Sequence, residues 1–174
     1  ALTISGKATI VSAIGGGCGS DATNRYAGHG IYSGGDLTIE TGSKIINAQG
    51  GNATDDNLTG GAGIYSDGKI EIKGKIETAQ GGSGISLGGY GIYSKNKLTI
   101  EGSTIKTAQG GTGKDGGKGI LGEATGEAAI EIRNSTIEKA QGGTGKSGGA
   151  GWKGEKLSAM ECTRRNARQA VSPR

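Results

Sequence analysis

The chain is poor in the residues that build an ordinary globular core. Its 174 residues include no Phe, one Trp and one Pro, and only 32% of them are hydrophobic. Glycine accounts for 39 residues, below the one-third share and without the Gly-X-Y period that collagen requires. A folded core must therefore be a narrow stack of Ile, Leu, Val and Ala, and the alternative is disorder.

Histidine, cysteine and long apolar runs are also scarce, and each shortage argues against a class of function. His29 is the only histidine, so a Ser-His-Asp or Cys-His nucleophilic site would depend on it. A zinc site needs clustered His and Cys, which the sequence lacks. Cys18 and Cys162 lie near opposite ends of the chain, and we expect both thiols to be unpaired. No segment has the ~18 apolar residues of a membrane span.

The excess of positive charge lies at the C-terminal end. The formal net charge is +4, from 20 Lys and Arg against 16 Asp and Glu. Residues 152–174 hold six of the Lys and Arg and two of the Asp and Glu, so residues 1–151 are neutral. Because residues 1–151 show no basic patch, we expect no nucleic-acid binding.

A repeat organises residues 1–151. Its five units are 28–35 residues long and begin at Leu2, Leu37, Ile70, Leu98 and Ile130. Each unit continues with a second apolar position, at Ile10, Ile45, Ile76, Ile105 and Ile137. An Ala follows, which in four units precedes Gln-Gly-Gly, and a Gly-Ile-Tyr-Ser tetrad closes three units. Self-similarity at this period indicates a repeat architecture and argues against disorder.

Each unit predicts three short strands. The alternation of apolar and polar residues over 98–101 has the period of a strand. Three strands of ~3–5 residues, separated by glycines, make one coil of a parallel β-helix. The predicted fold class is all-β: a right-handed parallel β-helix, or solenoid, of about five coils of 28–35 residues.

The repeat predicts two parts of the chain. Residues 1–151 form the β-helix repeat domain, and residues 152–174 form an atypical basic C-terminal tail. Three interpretations of the tail stay open: a cap on the last coil, a disordered segment, or sequence that is not native. Residues 156–159 resemble a worn sixth strand.

Stacked coils place equivalent charged residues side by side. Glu40, Lys73, Glu101 and Arg133 alternate in sign along one predicted outward column, which favours an ion ladder. Glu71 and Glu101 are predicted to lie ~8 Å apart on neighbouring coils, a separation found in inverting glycosidases. If the protein is an enzyme, these two residues are the catalytic candidates, with Asp67 as a third; the alternative is that they only form the ladder with Lys73.

The tyrosines suggest a ligand-binding face. Tyr32, Tyr65 and Tyr93 align in one column, and strand alternation turns them outward if the neighbouring isoleucines face inward. Exposed tyrosines can stack on a sugar ring and hydrogen-bond it. Asp67 and Lys95 follow in the next turns, and the serine after each tyrosine is expected to add a hydroxyl group. We therefore expect these five residues to contact a ligand; the alternative is a structural aromatic ladder under a loop.

We expect no cofactor and no metal site. Solvated loop acids are the favoured interpretation of Asp55 and Asp56, and a calcium site there is the alternative.

The motifs Gly-Ile-Tyr-Ser, Leu-Thr-Ile and Ala-Gln-Gly-Gly resemble the β-helix repeats of bacterial surface and secreted proteins, over residues 2–151. That group includes adhesin-like passenger domains, carbohydrate-binding modules and pectate-lyase-like enzymes, whose Asp clusters and catalytic Arg are not matched here. The resemblance implies a secreted or cell-surface bacterial protein that binds polysaccharide or a cell-surface glycan, or serves in adhesion, without catalysis. The alternative it implies is a small carbohydrate-active enzyme, a glycoside hydrolase or polysaccharide lyase.

The ends of the predicted stack bear on assembly. Each end exposes unpaired strand edges, which predicts end-to-end homo-oligomers unless the tail covers one edge.

Overall fold

The computed structural model is a β-solenoid of parallel strands, which confirms the predicted fold class. It describes residues 1–19, 26–125, 128–153 and 157–160. In this part of the chain it has strands and no helix, and therefore no helix that could span a membrane.

Three parallel sheets run along the stack, and each coil contributes to all three, as the three strands per unit predict. The first sheet contains β1 (Leu2–Ile4), β5 (Leu37–Ile39), β8 (Ile70–Ile72), β11 (Leu98–Glu101), β14 (Ile130–Arg133) and β17 (Leu157–Met160). The second contains β2 (Thr9–Ile10), β3 (Ala13–Ile14), β6 (Lys44–Gln49), β9 (Lys75–Gln80), β12 (Thr104–Gln109) and β15 (Thr136–Gln141). The third contains β4 (Ile31–Ser33), β7 (Ile64–Ser66), β10 (Ile92–Ser94), β13 (Ile120–Gly122) and β16 (Trp152–Lys153).

The register of the sheets is the one that the repeat predicts. Leu37 pairs with Leu2 on one side and with Ile70 on the other, and the column continues through Leu98 to Ile130. The stack amounts to about four turns, slightly fewer than the predicted five. Its first and last coils contribute the two-residue strands β2, β3 and β16.

Two strands beyond residue 151 bear on the predicted tail. β16 pairs with β13 and β17 pairs with β14, both in parallel, so the sheets continue past that residue. The division of the chain at residue 151 stays a prediction, and residues 161–174 lie outside the described part of the chain.

The core consists of the two apolar columns of the repeat, those that begin at Leu2 and Ile10, together with the isoleucines and alanines packed beside them. In the inner coils Leu37, Ile76 and Leu98 are fully buried, whereas Leu2 at the first coil is 37% exposed. Complete burial of such a side chain stabilises the fold by about 1.5–3 kcal/mol. Because every inner coil repeats this burial, the stack replaces the bulky core that the composition does not provide.

The serines after the tyrosines belong to the turns and not to the surface. Ser33, Ser66 and Ser94 are at most 4% exposed. Ser66 Oγ donates to the Gly35 carbonyl at 2.6 Å, and Ser94 Oγ donates to the Gly68 carbonyl at 2.9 Å. Ser33 Oγ donates to the Asp36 carbonyl of its own turn at 2.9 Å. The expectation that these hydroxyls add to a ligand face is therefore wrong, because the buried hydroxyls satisfy backbone carbonyl groups.

A second layer of the molecule is built from backbone alone. After each strand β6, β9, β12 and β15, a Gly-Gly pair packs against a second glycine segment of the same coil. We call this layer the glycine ladder: residues 16, 28, 51, 61, 82, 89, 111, 117, 143 and 149 are joined by N–H···O=C bonds of 2.8–3.0 Å, each from a later glycine to the one before it. A Cβ added at Gly82 would overlap the carbonyl oxygen of Gly51 in the neighbouring coil. Side chains are therefore excluded from the ladder by contact with backbone, except at Gly16 in the first coil, where a Cβ would meet nothing within 4 Å.

Candidate functional site

The predicted tyrosine column forms on the third sheet. Strands β4, β7 and β10 pair in register, so Tyr32 lies beside Tyr65 and Tyr65 beside Tyr93. Asp67 and Lys95 follow in the turns after β7 and β10. We call these five residues the tyrosine face.

Asp67 connects three members of the face. Its carboxylate accepts hydrogen bonds from Tyr32 Oη at 2.8 Å and Tyr65 Oη at 2.9 Å, and Lys95 Nζ lies 2.6 Å from Oδ1. The bonds from Lys95 and Tyr32 lower the pKa of Asp67 to about 2, and the bond to Asp67 raises the pKa of Lys95. Both groups are therefore charged at neutral pH, and Asp67 has no proton to donate.

The three tyrosines differ in exposure. Tyr32 is 54% exposed, whereas Tyr65 is 7% and Tyr93 9% exposed. The expected exposed strip is therefore limited to Tyr32. The reason is that other side chains lie on the outer surface of the sheet: Tyr90 packs edge-on against Tyr93 with 4.8 Å between ring centroids, and His29 covers Tyr65. Whether the tyrosines contact a ligand stays a prediction.

His29 reaches the face from the long loop of the first coil. Its ring is parallel to that of Tyr65, at 3° and 4.2 Å between centroids, and lies 5.8 Å from that of Tyr32. Its Nδ1 accepts a hydrogen bond from the Ala62 backbone N–H at 2.9 Å. Burial lowers the pKa of His29, which opposes its protonation, and we assign the neutral ring with its proton on Nε2. The ring is thus held by stacking on Tyr65 and by the hydrogen bond from Ala62.

The buried phenol of Tyr93 is anchored at the far end of the face. Tyr93 Oη donates to Glu123 Oε2 at 2.7 Å. Burial and this hydrogen bond raise the pKa of Tyr93, so the phenol stays protonated. Glu123 thereby has one oxygen fixed by the protein.

A groove of about 300 Å³ adjoins the tyrosine face. It is lined by Lys69, Lys95, Asn96, Glu123, Ala124 and Thr125, which come from the turns after β7, β10 and β13. Lys95 belongs to both the groove and the tyrosine face. Asn96 Oδ1 accepts a hydrogen bond from the Lys97 backbone N–H at 2.9 Å. The amide oxygen of Asn96 is therefore engaged, and its amino group is the part that can donate to a ligand. The groove thus presents two ammonium groups, an amide, a carboxylate and a hydroxyl.

The outward carboxylates of the first sheet are engaged with Lys73. Lys73 Nζ lies 2.7 Å from Glu71 Oε1. The pKa of Lys73 is raised, chiefly by the hydrogen bond with Glu71 and further by the charges of Glu101 and Glu40. This geometry favours the ion-ladder interpretation. Its shortest ion pair, between Glu71 and Lys73, lies within one coil and not between neighbouring coils. A catalytic role of Glu71 and Glu101 stays a prediction.

The loop acids form no cluster. Asp55 Oδ1 accepts the backbone N–H of Asn57 at 3.1 Å and so closes a turn. Within the described residues, no group of three or more His, Cys, Asp or Glu side chains could hold a metal ion. Calcium at Asp55 and Asp56 remains a prediction.

Several residues of this region were not predicted from the sequence. His29 and Tyr90 have no equivalent of the same type in the other coils, so the repeat gave no signal for them. Glu123 follows β13 at the position where Asp67 follows β7, and this equivalence was the signal that could have found it. The lining of the groove comes from turns whose sequences vary between units.

Comparison of the chain with known proteins finds no matching family model, no matching curated protein and no matching solved structure.

Proposed function

We propose that the protein is a non-catalytic module that binds a polysaccharide or cell-surface glycan at the tyrosine face and its groove, as a secreted or cell-surface protein. The observation that carries the proposal is the ring of Tyr32, half exposed while its hydroxyl is fixed by Asp67. A ring held in place beside open solvent is suited to stacking on a sugar, because little conformational entropy is lost on binding.

The groove supplies the polar half of such a site. Sugar hydroxyls need both donors and acceptors, and the groove offers Lys69, Lys95 and Asn96 as donors and Glu123 as an acceptor. Its volume of about 300 Å³ is at the lower end of the range for ligand sites. A chain lying across Tyr32 and into this groove would follow the edge of the third sheet.

The charges at the face favour binding over hydrolysis. A glycosidase needs one carboxyl group that is protonated at working pH. The pKa of about 2 keeps Asp67 ionised, and Glu71 is paired with Lys73. The adhesion role rests on the repeat architecture, since a solenoid presents such a face on an elongated scaffold.

The test is calorimetric titration with four soluble polysaccharides: a β-glucan, a xylan, a galactan and polygalacturonate. We expect at least one to bind, and Tyr32→Ala to weaken that binding about 2- to 10-fold, the range of a single stacking contact. Ile14→Ala is the matched control, because Ile14 is also an exposed apolar residue, 66% against 54% for Tyr32, and lies on the second sheet.

Two results would contradict the proposal. One is the absence of binding to any of the four polysaccharides, and the other is equal binding by the Tyr32 and Ile14 variants. Turnover of chromogenic glycosides that disappears in Glu71→Gln or Glu101→Gln would support the enzymatic alternative instead.

A further inference from the structure

His29 occupies the position on Tyr65 at which an external ring would stack. The two rings are nearly parallel, at 3° and 4.2 Å between centroids, whereas Tyr32 and Tyr65 are 5.6 Å apart and tilted by 24°. With His29 in place, only 7% of Tyr65 is exposed. Aromatic side chains and sugar rings compete for the same faces, so His29 excludes a ligand from this one.

One side-chain hydrogen bond holds His29 there. Its Nδ1 accepts the backbone N–H of Ala62 at 2.9 Å, and Ala62 is 2% exposed. The backbone on either side of His29 is fixed independently: Gly28 N–H donates to Gly16, and Gly30 N–H donates to Ala62. The imidazole can therefore leave by side-chain rotation while the coil stays intact.

Protonation is incompatible with that hydrogen bond. An imidazolium carries a proton on both nitrogens, so Nδ1 would face the Ala62 N–H as a second donor. Attraction between an imidazolium and the Tyr65 ring would persist, but the Ala62 N–H would lose its acceptor.

Among the charged and titratable groups in this region, His29 is the one expected to change its charge near neutral pH. It faces the rings of Tyr26, Tyr32 and Tyr65, with the charges of Asp67 and Lys95 behind them. The Asp67 carboxylate favours the cation and the Lys95 ammonium opposes it, while burial, the largest influence, lowers the pKa of His29. Asp67, with a pKa of about 2, and Lys95, with a raised pKa, keep their charges between pH 5 and pH 8.

We propose that His29 is a built-in competitor for the Tyr65 ring and that its protonation opens this ring to a sugar. This inference rests on the proposed function. The expected direction is that binding strengthens as the pH falls. A docked His29 resists protonation and a released one does not, so protons favour release below the ordinary histidine pKa of ~6.5. The released state then offers Tyr32 and Tyr65 together as a two-ring platform.

Binding measurements test the direction. With whichever of the four polysaccharides binds, wild-type affinity should rise about five- to tenfold between pH 8 and pH 5.5, within the limit of tenfold per pH unit for one proton. His29→Ala should bind at pH 8 about tenfold more tightly than wild type, as expected for removal of one competing hydrogen bond and stack, and should lose the pH dependence. In the double variant His29→Ala with Tyr65→Leu, the gain should disappear.

Two binding results would overturn the inference. If His29→Ala weakens binding, His29 is part of the ligand platform. If the affinity of wild type is the same at both pH values, protonation does not release the ring.

A ligand-free measurement separates this inference from the proposed function. His29 is the only histidine, so its imidazole signals in a nuclear magnetic resonance titration of the full chain are unambiguous. Broadening of the Tyr65 ring signals by a soluble paramagnetic probe should increase as His29 titrates. If broadening increases but no polysaccharide binds at any pH, the proposed function fails and the release of His29 stands. If Tyr65 stays protected while His29 becomes protonated, the release is refuted, whatever binds.

Discussion

Replacement of Gly82 by Ala tests whether the glycine ladder is a core in its own right. Gly82 lies in an inner coil, where its N–H donates to the Gly61 carbonyl at 2.8 Å and its own carbonyl accepts from Gly89 at 2.8 Å. A Cβ at this position would overlap the Gly51 carbonyl oxygen and lie 2.5 Å from the Gly51 carbonyl carbon. Ordinary contact begins at 3.4 Å, so the carbonyl carbon alone requires a local separation of the coils by about 0.9 Å, and the nearer carbonyl oxygen requires more.

The cost of this separation follows from the bonds it strains. The bond from Gly82 N–H to the Gly61 carbonyl crosses between the coils and would lengthen, whereas the bond from Gly89 lies within one coil. Each buried group of the lengthened bond, donor or acceptor, costs about 1–3 kcal/mol when it is left without its partner. We therefore expect Gly82→Ala to lower the free energy of unfolding by about 3–5 kcal/mol, a large part of the ~5–15 kcal/mol typical of a domain. Gly16→Ala is the control, because a Cβ at Gly16 meets nothing within 4 Å. It should cost less than about 1 kcal/mol.

Urea unfolding followed by circular dichroism gives both free energies, and amide hydrogen exchange at Gly82 and Gly89 reports the ladder directly. Equal stability of the two variants, within about 1 kcal/mol, would refute the close packing of backbone at Gly82. Unchanged protection of the amides at positions 82 and 89 in Gly82→Ala would refute it as well.

Three further predictions concern the core and the tyrosine face. Ile72→Ala should lower the free energy of unfolding in urea by about 2–5 kcal/mol, because Ile72 is fully buried, and a loss below that range would contradict its place in the core. Asp67 has a folded pKa of about 2, below its ordinary value of 3.8, so its stabilising effect is complete above pH ~4 and is lost as the pH falls toward 2. Asp67→Asn should thus be less stable than wild type at pH 7 and nearly equal to it at pH 2, and an equal deficit at both pH values would disprove the pairing. The raised pKa of Tyr93 predicts that Tyr93→Phe and wild type show the same phenolate absorbance up to pH 11 when folded, and that they differ by one tyrosine only when unfolded.

The strands and their register were predictable because the same pattern of apolar and polar residues recurs in several units of the sequence. Each inner coil repeats the same alternation, and a shift by one residue would turn Ile39 or Ile72 outward in a sheet whose other members face inward. The agreement of several coils therefore fixes the pairing without any knowledge of distant contacts. The number of turns was less certain, since the end coils depart from the repeat.

The environment of the tyrosines was not predictable in the same way. Alternation correctly turned Tyr65 and Tyr93 away from the isoleucine core, but it says nothing about what covers the outer side of a sheet. The covering groups, His29 and Tyr90, occur once each at positions where other coils have different residues. Their contacts depend on loop conformation, which a single sequence does not determine.

The glycine pairs do more than separate strands. Glycine punctuates strands in most sequences, so its presence between strands predicts only turns. Their recurrence two residues after a buried alanine, such as Ala79 or Ala108, was a sign of close backbone approach at each coil.

The direction of the glycine ladder gives the stack an electrical polarity. In an ordinary sheet the peptide dipoles of neighbouring residues alternate and largely cancel. In the ladder the bonds that join neighbouring coils, such as Gly51 to Gly28 and Gly82 to Gly61, all have the later residue as donor, so the dipoles of these peptides add along the stack as they do in a helix. The first-coil end of the ladder is therefore the positive end and the last-coil end the negative one. End-to-end association stays a prediction; in such an assembly the ladder continues only if the second copy is added with the same polarity, which predicts head-to-tail contact.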